Sequence, residues 1–342
     1  MNSNPRSRAR QAPPAPSMPI PARVAEWAKV RIGALAPWPL PIDLSGARAW
    51  RVSAPQGLID IRVHGTDMAF RREVLSYRTA IHRLGPAHGP RMIAHEPRLR
   101  ASLTTHPRGR PVDDAASLHA LPRIHQDAGT LLAVLHGSVE RMHDARAQAA
   151  RHLTHYVKHI VRLLDRTTAW LSLEEAEAVR SSADRLLNHD QDLPVAFCHG
   201  AFGPASWRWN IQGQTLSLTN LGQAQVLPSI VDFARCTHLW AGQPHLADMF
   251  FAGYGRTLDD NELLALDDAA VLTAAEDLHH AVVLRDGDAL SLAAAALRDS
   301  VGRRSPAPDR VVVREREDNP PRPDVPGAPT SAAELGTERI EP

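Results

Sequence analysis

Cysteine is scarce. Cys198 and Cys236 are the only two in 342 residues. That excludes a scaffold stapled by several disulfides. Both sit in apolar contexts, which suits buried free thiols in a reducing compartment. An excess of either charge is also missing. Lys and Arg number 39 against 38 Asp and Glu, a net charge of +1. There is thus no bulk electrostatic case for nucleic acid or an anionic membrane as partner. No apolar run approaches the roughly 18 residues of a membrane-spanning helix. The N-terminal stretch carries arginines but no apolar core, so no secretory signal is read there and a cytoplasmic location is expected. The phosphate-cradling patterns G-x-G-x-x-G and G-x-x-x-x-G-K-S/T do not occur, nor does the G-x-S-x-G elbow of serine hydrolases.

What remains is a chain long enough for one two-lobed domain or two small ones, without internal repeats. Residues 1–21 and 303–342 are rich in Pro and Arg and lack periodicity, so both tails are expected to be disordered. Within the second, Val311, Val312 and Val313 form a short apolar patch that could dock on a partner or on the body. After the first tail, Val24, Trp27, Ala28 and Ile32 fall on one face of a helix at 22–35. Residues 43–64 read as strands around a Pro55-Gln56-Gly57 turn, and 68–84 as a helix. Two more strands are expected at Met92–His95 and Ala101–Thr104. Helices follow at 113–121, 124–138, 139–166 and 173–187, with Pro122 as a break between the first two. His152, His155 and His159 share a face of the long helix. No carboxylate or Cys is arranged to complete a metal site there, so the face reads as solvated or boundary.

The stretch 193–240 organises the chain. Leu193 to Cys198 is a buried strand that stops at His199-Gly200. Trp207 to Asn210 and Thr215 to Thr219 are the arms of a hairpin around Gln212-Gly213-Gln214. Ile230 then opens a helix through Asp232 and Arg235. This order sets two loops side by side at one end of a small sheet, where function tends to sit.

These residues fall in the layout His199-Gly200-Ala201-Phe202-Gly203-Pro204-Ala205-Ser206, then Thr219-Asn220-Leu221-Gly222-Gln223-Ala224, then Pro228 and Asp232-Phe233-Ala234-Arg235. The layout resembles the aminoglycoside phosphotransferase family, the small-molecule branch of the protein-kinase-like fold. Gly253-Tyr254-Gly255-Arg256 and Leu131 to His136 resemble two further family segments, and Arg108-Gly109-Arg110-Pro111 resembles the stretch after the interlobe hinge. The resemblance implies an α+β fold of two lobes. Residues 22–108 would hold an N-terminal helix and a small β-rich lobe, and residues 109–302 a larger, mainly helical lobe.

The frame is kept and the chemistry is not. Ala201 stands where the resemblance puts the catalytic Asp. Ser206 and Asn220 stand where it puts two metal ligands, an Asn and an Asp. His199 and Asp232 are implied to hold the loop in shape. Arg62 falls at the position of the phosphate-pairing Lys and Glu73 at that of its helix partner. Acidic groups at Asp267, Asp268, Glu276 and Asp277 match the region where family members hold cationic sugars, although such a face is usually solvated. Phosphoryl transfer needs a carboxylate to receive the proton of the attacking hydroxyl, and a methyl group cannot. Magnesium prefers carboxylate oxygens, and Ser206 and Asn220 are neutral.

The expectation is a catalytically inactive pseudokinase that binds a protein partner or a small molecule. The alternative is an active ATP-dependent phosphotransferase acting on a small-molecule hydroxyl, with ATP and Mg as cofactors. It would need a displaced carboxylate; Asp190 and Asp192 lie just before the strand. A hydrolase built on His-Gly-x-x-Gly at 199–203 is disfavoured by the missing nucleophile elbow.

Overall fold

Two hydrophobic clusters organise this computed structural model, which describes residues 19–33, 36–40, 47–55, 57–112, 121–189 and 191–304. The first belongs to the small lobe. Helix α1 (Ala22–Ile32) buries Val24, Trp27, Ala28 and Ile32, the face its spacing predicts. They pack with Trp50, Val52, Ile59, Ile61 and Leu103 of the sheet. Each large side chain so buried contributes roughly 1.5–3 kcal/mol.

The sheet has five strands: β1 (Trp38–Pro39), β2 (Arg48–Ala54), β3 (Gly57–Val63), β4 (Met92–Glu96) and β5 (Ala101–Thr105). Their order is β1-β2-β3-β5-β4 and every neighbouring pair is antiparallel. The β2–β3 register pairs Ala54 with Gly57 and therefore sets Arg51 opposite Asp60. Helix α2 (Asp67–Thr79) starts at Thr66, whose hydroxyl accepts the Ala69 N–H. It spans the two lobes. Phe70 and Glu73 are buried, and the Ser76 hydroxyl donates to the Ala224 carbonyl at 3.1 Å.

The second cluster is the helical lobe. It is built from α3 (Leu121–His136), α4 (Ala145–Thr167), α5 (Leu173–Asn188), α6 (Ile230–Ala234), α7 (Thr237–Trp240), α8 (Pro244–Tyr254), α9 (Asp260–Leu284) and α10 (Gly287–Arg304). Helix α9 is its axis, touching α4, α5, α6 and α10. It starts in a capping box, with Asp259 accepting the Glu262 N–H and Glu262 reaching back to Asp259 N–H. Strand β6 (Arg110–Pro111) joins β8 (Trp207–Asn210) and β9 (Thr215–Leu218) in a three-stranded sheet. β7 (Val195–Cys198) pairs with β10 (Gln225–Pro228). The architecture is α+β, with a small antiparallel lobe and a larger helical one.

Several expectations shift. The helix expected at 113–121, and with it the break expected at Pro122, falls on residues outside those described; among the described residues Pro122 is the second of α3. A first-turn N–H has no acceptor within its helix, so proline is harmless there. The helix expected over 139–166 begins only at Ala145. A 3₁₀ turn at Gly137–Arg141 precedes it, and Asp144 takes φ 55 at its cap. Residues 1–18, Leu44, 113–120, Asp190 and 305–342, including Val311–Val313, lie outside the described residues. Among the described residues, no helix is long and apolar enough to cross a membrane.

Candidate functional site

The loop after β7 is held by one carboxylate. After β10 the chain turns at Ser229, and α6 brings Asp232 back beneath the end of β7. Asp232 Oδ2 accepts the His199 N–H at 2.6 Å and Oδ1 accepts the Gly200 N–H at 2.9 Å. His136 Nε2, at the end of α3, is 3.1 Å from Oδ2. Its Nδ1 is 2.8 Å from the Tyr254 hydroxyl at the end of α8. Burial pushes the pKa of the Tyr254 hydroxyl up to about 12. Asp232 is fully buried. Burial alone would raise its pKa, but the hydrogen bond and charge of His136, with His199, hold it below the usual carboxylate range.

His199 is equally committed. Its Nε2 lies 2.8 Å from the Thr219 carbonyl, and its Nδ1 accepts the Ala201 N–H at 3.2 Å. One donor and one acceptor fix the neutral tautomer. Burial accordingly lowers its pKa. Gly200 takes φ +79, and a Cβ there would meet the Gln223 carbonyl oxygen at 2.5 Å. Only glycine suits both the dihedral and the space. The His-Gly pair is thus a clamp between the two loops.

This clamp leaves no ligand for a metal. His136, Cys198 and Asp232 lie close enough to chelate an ion. Yet both Asp232 oxygens are already taken by backbone N–H groups and His136. The Cys198 thiol points at the Leu227 and Pro228 carbonyls, and burial with Asp232 nearby pushes its pKa up. Ser206 is buried and folds its hydroxyl onto Gly203, donating to the carbonyl at 2.8 Å and accepting the N–H at 3.2 Å. Asn220, at φ 60, has its Nδ2 3.5 Å from the Ala205 carbonyl. Both offer only neutral oxygens, and that of Ser206 is committed to Gly203, so this pair does not fit magnesium.

Between the lobes lies a cleft of about 300 Å³. Arg51, Asp60 and Arg62 line it from the small-lobe sheet, His106 from the connection after β5, and Arg208 and Asn220 from the helical lobe. Arg51 grips Asp60 through Nε at 2.7 Å and a second guanidinium nitrogen at 3.1 Å. His106 Nδ1 is 3.0 Å from Asp60 Oδ2 and 2.9 Å from Arg51, so either protonation state of that nitrogen finds a partner. Burial would raise the Asp60 pKa, but the bonds from His106 and Arg51 bring it down to about 2. Sequence reading missed Arg51, Asp60, His106 and Arg208. The hairpin register gave a usable signal for the first two, since it pairs them directly.

The Arg62–Glu73 pair is present in a changed form. Arg62 stands 3.9 Å from Glu73, whereas His64 Nε2 is 2.8 Å from it and the Ser102 hydroxyl donates to it at 3.0 Å. Burial would raise the Glu73 pKa, but His64, Arg62 and Ser102 lower it. The acidic groups near the C-terminus are not a solvated face. Arg235 binds both Glu276 and Asp277, and Arg185 Nε is 3.2 Å from Asp268. Glu276 and Asp268 are buried, which an unpaired carboxylate would not tolerate. His155 and His159 are exposed and His152 is half-buried with Nδ1 2.9 Å from the Val226 carbonyl, as expected of a solvated or boundary face.

Comparison with solved structures places the fold. A gentamicin complex of APH(2″)-IIa matches with a TM-score of 0.56 and 14% identity, over 82% of this chain and 97% of that one. The apo form of a thermostable mutant of aminoglycoside phosphotransferase APH(4)-Ia matches with a TM-score of 0.57 and 13% identity, over 83% and 100%. The chain has the fold of the aminoglycoside phosphotransferases. Macrolide 2′-phosphotransferase type I shares that fold with a TM-score of 0.50 and 15% identity, over 80% and 95%. No family model and no curated protein sequence matches the chain. At such identities the phosphotransferase likeness is one of fold, and function has to be argued from the site.

The buried histidines set a pH limit on this fold. Burial lowers the pKa of His199 and His125 below 6.5. The unfolded chain, with its histidines near 6.5, therefore binds more protons than the folded one just below that pH. Stability should rise with pH up to about 6.5 and fall on acidification through the window beneath it. Denaturant titrations from neutral to mildly acid pH should show a falling midpoint. A midpoint constant down to the carboxylate range would contradict burial of these rings in neutral form.

Proposed function

We propose that this protein is a catalytically silent member of the phosphotransferase fold, a pseudokinase that binds a small molecule in its interlobe cleft. One observation carries the reading. The loop scaffold of His199, Gly200 and Asp232 is intact, while the position that would bear the general base holds Ala201. Asp232 cannot stand in, because its oxygens are spent on the loop. Losing a general base alone costs about 10²–10⁴ in rate. Losing the metal ligands as well removes charge neutralisation at the transferring phosphoryl group.

Purified protein should show no magnesium-dependent ATP turnover above background with small hydroxylated acceptors. Ala201→Asp should not restore it, because Ser206 and Asn220 still offer no carboxylate to a metal. Turnover by the unaltered protein would establish the active phosphotransferase reading instead. Rescue by Ala201→Asp alone would mean that metal binding persists.

A further inference from the structure

The charged side chains on the cleft wall are already engaged. Among the described residues that line the cleft, Arg51, Asp60, Arg62 and Arg208 carry charge. Arg51 holds Asp60 through two guanidinium nitrogens, at 2.7 Å and 3.1 Å. Arg62 stands 3.9 Å from Glu73, which is fully buried and held further by His64 and Ser102. Arg208 is likewise engaged within the fold. A charged ligand would have to draw one of these groups off its partner. For Asp60 and Glu73 that would leave a buried charge uncompensated, and breaking such a pair is strongly destabilising.

The bonding capacity left on the wall is neutral. His106 spends Nδ1 on Asp60 and Arg51, which leaves Nε2. The Thr105 hydroxyl accepts the Arg91 N–H at 2.8 Å and keeps its own proton to give. Asn220 is exposed, with Nδ2 3.5 Å from the Ala205 carbonyl, which leaves its amide oxygen. These three line the cleft from the interlobe connection, the small-lobe sheet and the loop after β9. A hydroxyl is both donor and acceptor, so a ligand rich in hydroxyls can meet all three, whichever tautomer His106 takes. The volume, about 300 Å³, lies at the low end for small-molecule sites.

From these features we infer that the cleft binds an uncharged, polyhydroxylated molecule of monosaccharide size, held by His106, Thr105 and Asn220. The ion pairs of the wall stay closed around it and shape the site without contacting a ligand charge. The inference rests on the silent-phosphotransferase reading for its site and adds the ligand class.

The test is calorimetry on the full chain with neutral probes (glucose, galactose, ribose and myo-inositol) against charged ones (glucosamine, glucose 6-phosphate and magnesium-ATP). At least one neutral probe should bind, with an affinity that does not change with salt. The charged probes should bind about tenfold or more weakly. Asn220→Gly removes the amide at a residue whose φ of 60 suits glycine, so the fold is kept. It should weaken the neutral probe about three- to tenfold, as loss of one hydrogen bond implies. His106→Ala should do the same. Asn188→Ala, exposed at the end of α5, should not. Binding of a charged probe as tight as that of the neutral ones, or binding of no neutral probe, overturns the inference. So does full affinity in folded Asn220→Gly and His106→Ala proteins. ATP turnover measured on the same sample separates the two readings. Turnover refutes the silent reading, whereas preference for a charged probe without turnover refutes only this one.

Discussion

Asp232→Ala should lower the unfolding free energy by about 3–5 kcal/mol, a large part of the stability of an ordinary domain. The variant removes the acceptor for three buried donors at once: the N–H groups of His199 and Gly200 and the ring of His136. Each orphaned donor costs about 1–3 kcal/mol, and no solvent reaches this fully buried position to take the place of the carboxylate. The His199–Thr219 bond ties the same loop to the end of β9, so both loops should loosen together. Asp232→Asn should be milder, because the amide oxygen still accepts one N–H while its NH₂ faces the other donor. Urea titrations of the three proteins give the comparison. An Asp232→Ala protein within 1 kcal/mol of the parent would mean that the carboxylate is not the loop's anchor.

That anchor explains what could be read from the sequence. The scaffold was legible because it depends on local order. The strand ending at His199-Gly200, the hairpin and the helix bearing Asp232 follow one another within a short stretch, and a glycine at positive φ has few alternatives. The α1 face was legible from period alone. The cleft was not. Arg51 and Asp60 could have been paired through the hairpin, but His106 arrives from beyond β5 and Arg208 from the other lobe, and no period links them. Arg235 meets Glu276 and Asp277 across some forty residues of sequence, so acidic positions that look solvated in the chain are ion-paired in the fold, Glu276 in the interior. The turning back of the Ser206 hydroxyl is a rotamer choice, which sequence does not encode in any local signal.

Gly253→Ala tests the packing that brings the site's two helices together, and there two effects of opposite sign compete. Gly253 lies inside α8, where alanine is favoured over glycine by about 1 kcal/mol on propensity alone. Packing opposes it. A Cβ at Gly253 would lie 1.9 Å from the Gln126 carbonyl oxygen of α3, and one at Gly129 of α3 would lie 2.0 Å from the Phe250 carbonyl oxygen of α8. Both obstacles are backbone, so no side chain can swing aside and one helix must move. Overpacking of this kind costs about 1–3 kcal/mol and occasionally more. With contacts this short, the upper end applies and overrides propensity. The net expectation is a loss of about 2 kcal/mol or more. The movement would also part His136 from Tyr254, which sit at the ends of these helices 2.8 Å apart and hold Asp232 from behind. Gly242, exposed and with nothing within 4 Å of its Cβ position, is the control, and Gly242→Ala should change stability by no more than about 0.5 kcal/mol. Should Gly253→Ala stabilise the protein as propensity predicts, α3 and α8 do not approach at these glycines. The support they give Asp232 would then have to come from elsewhere.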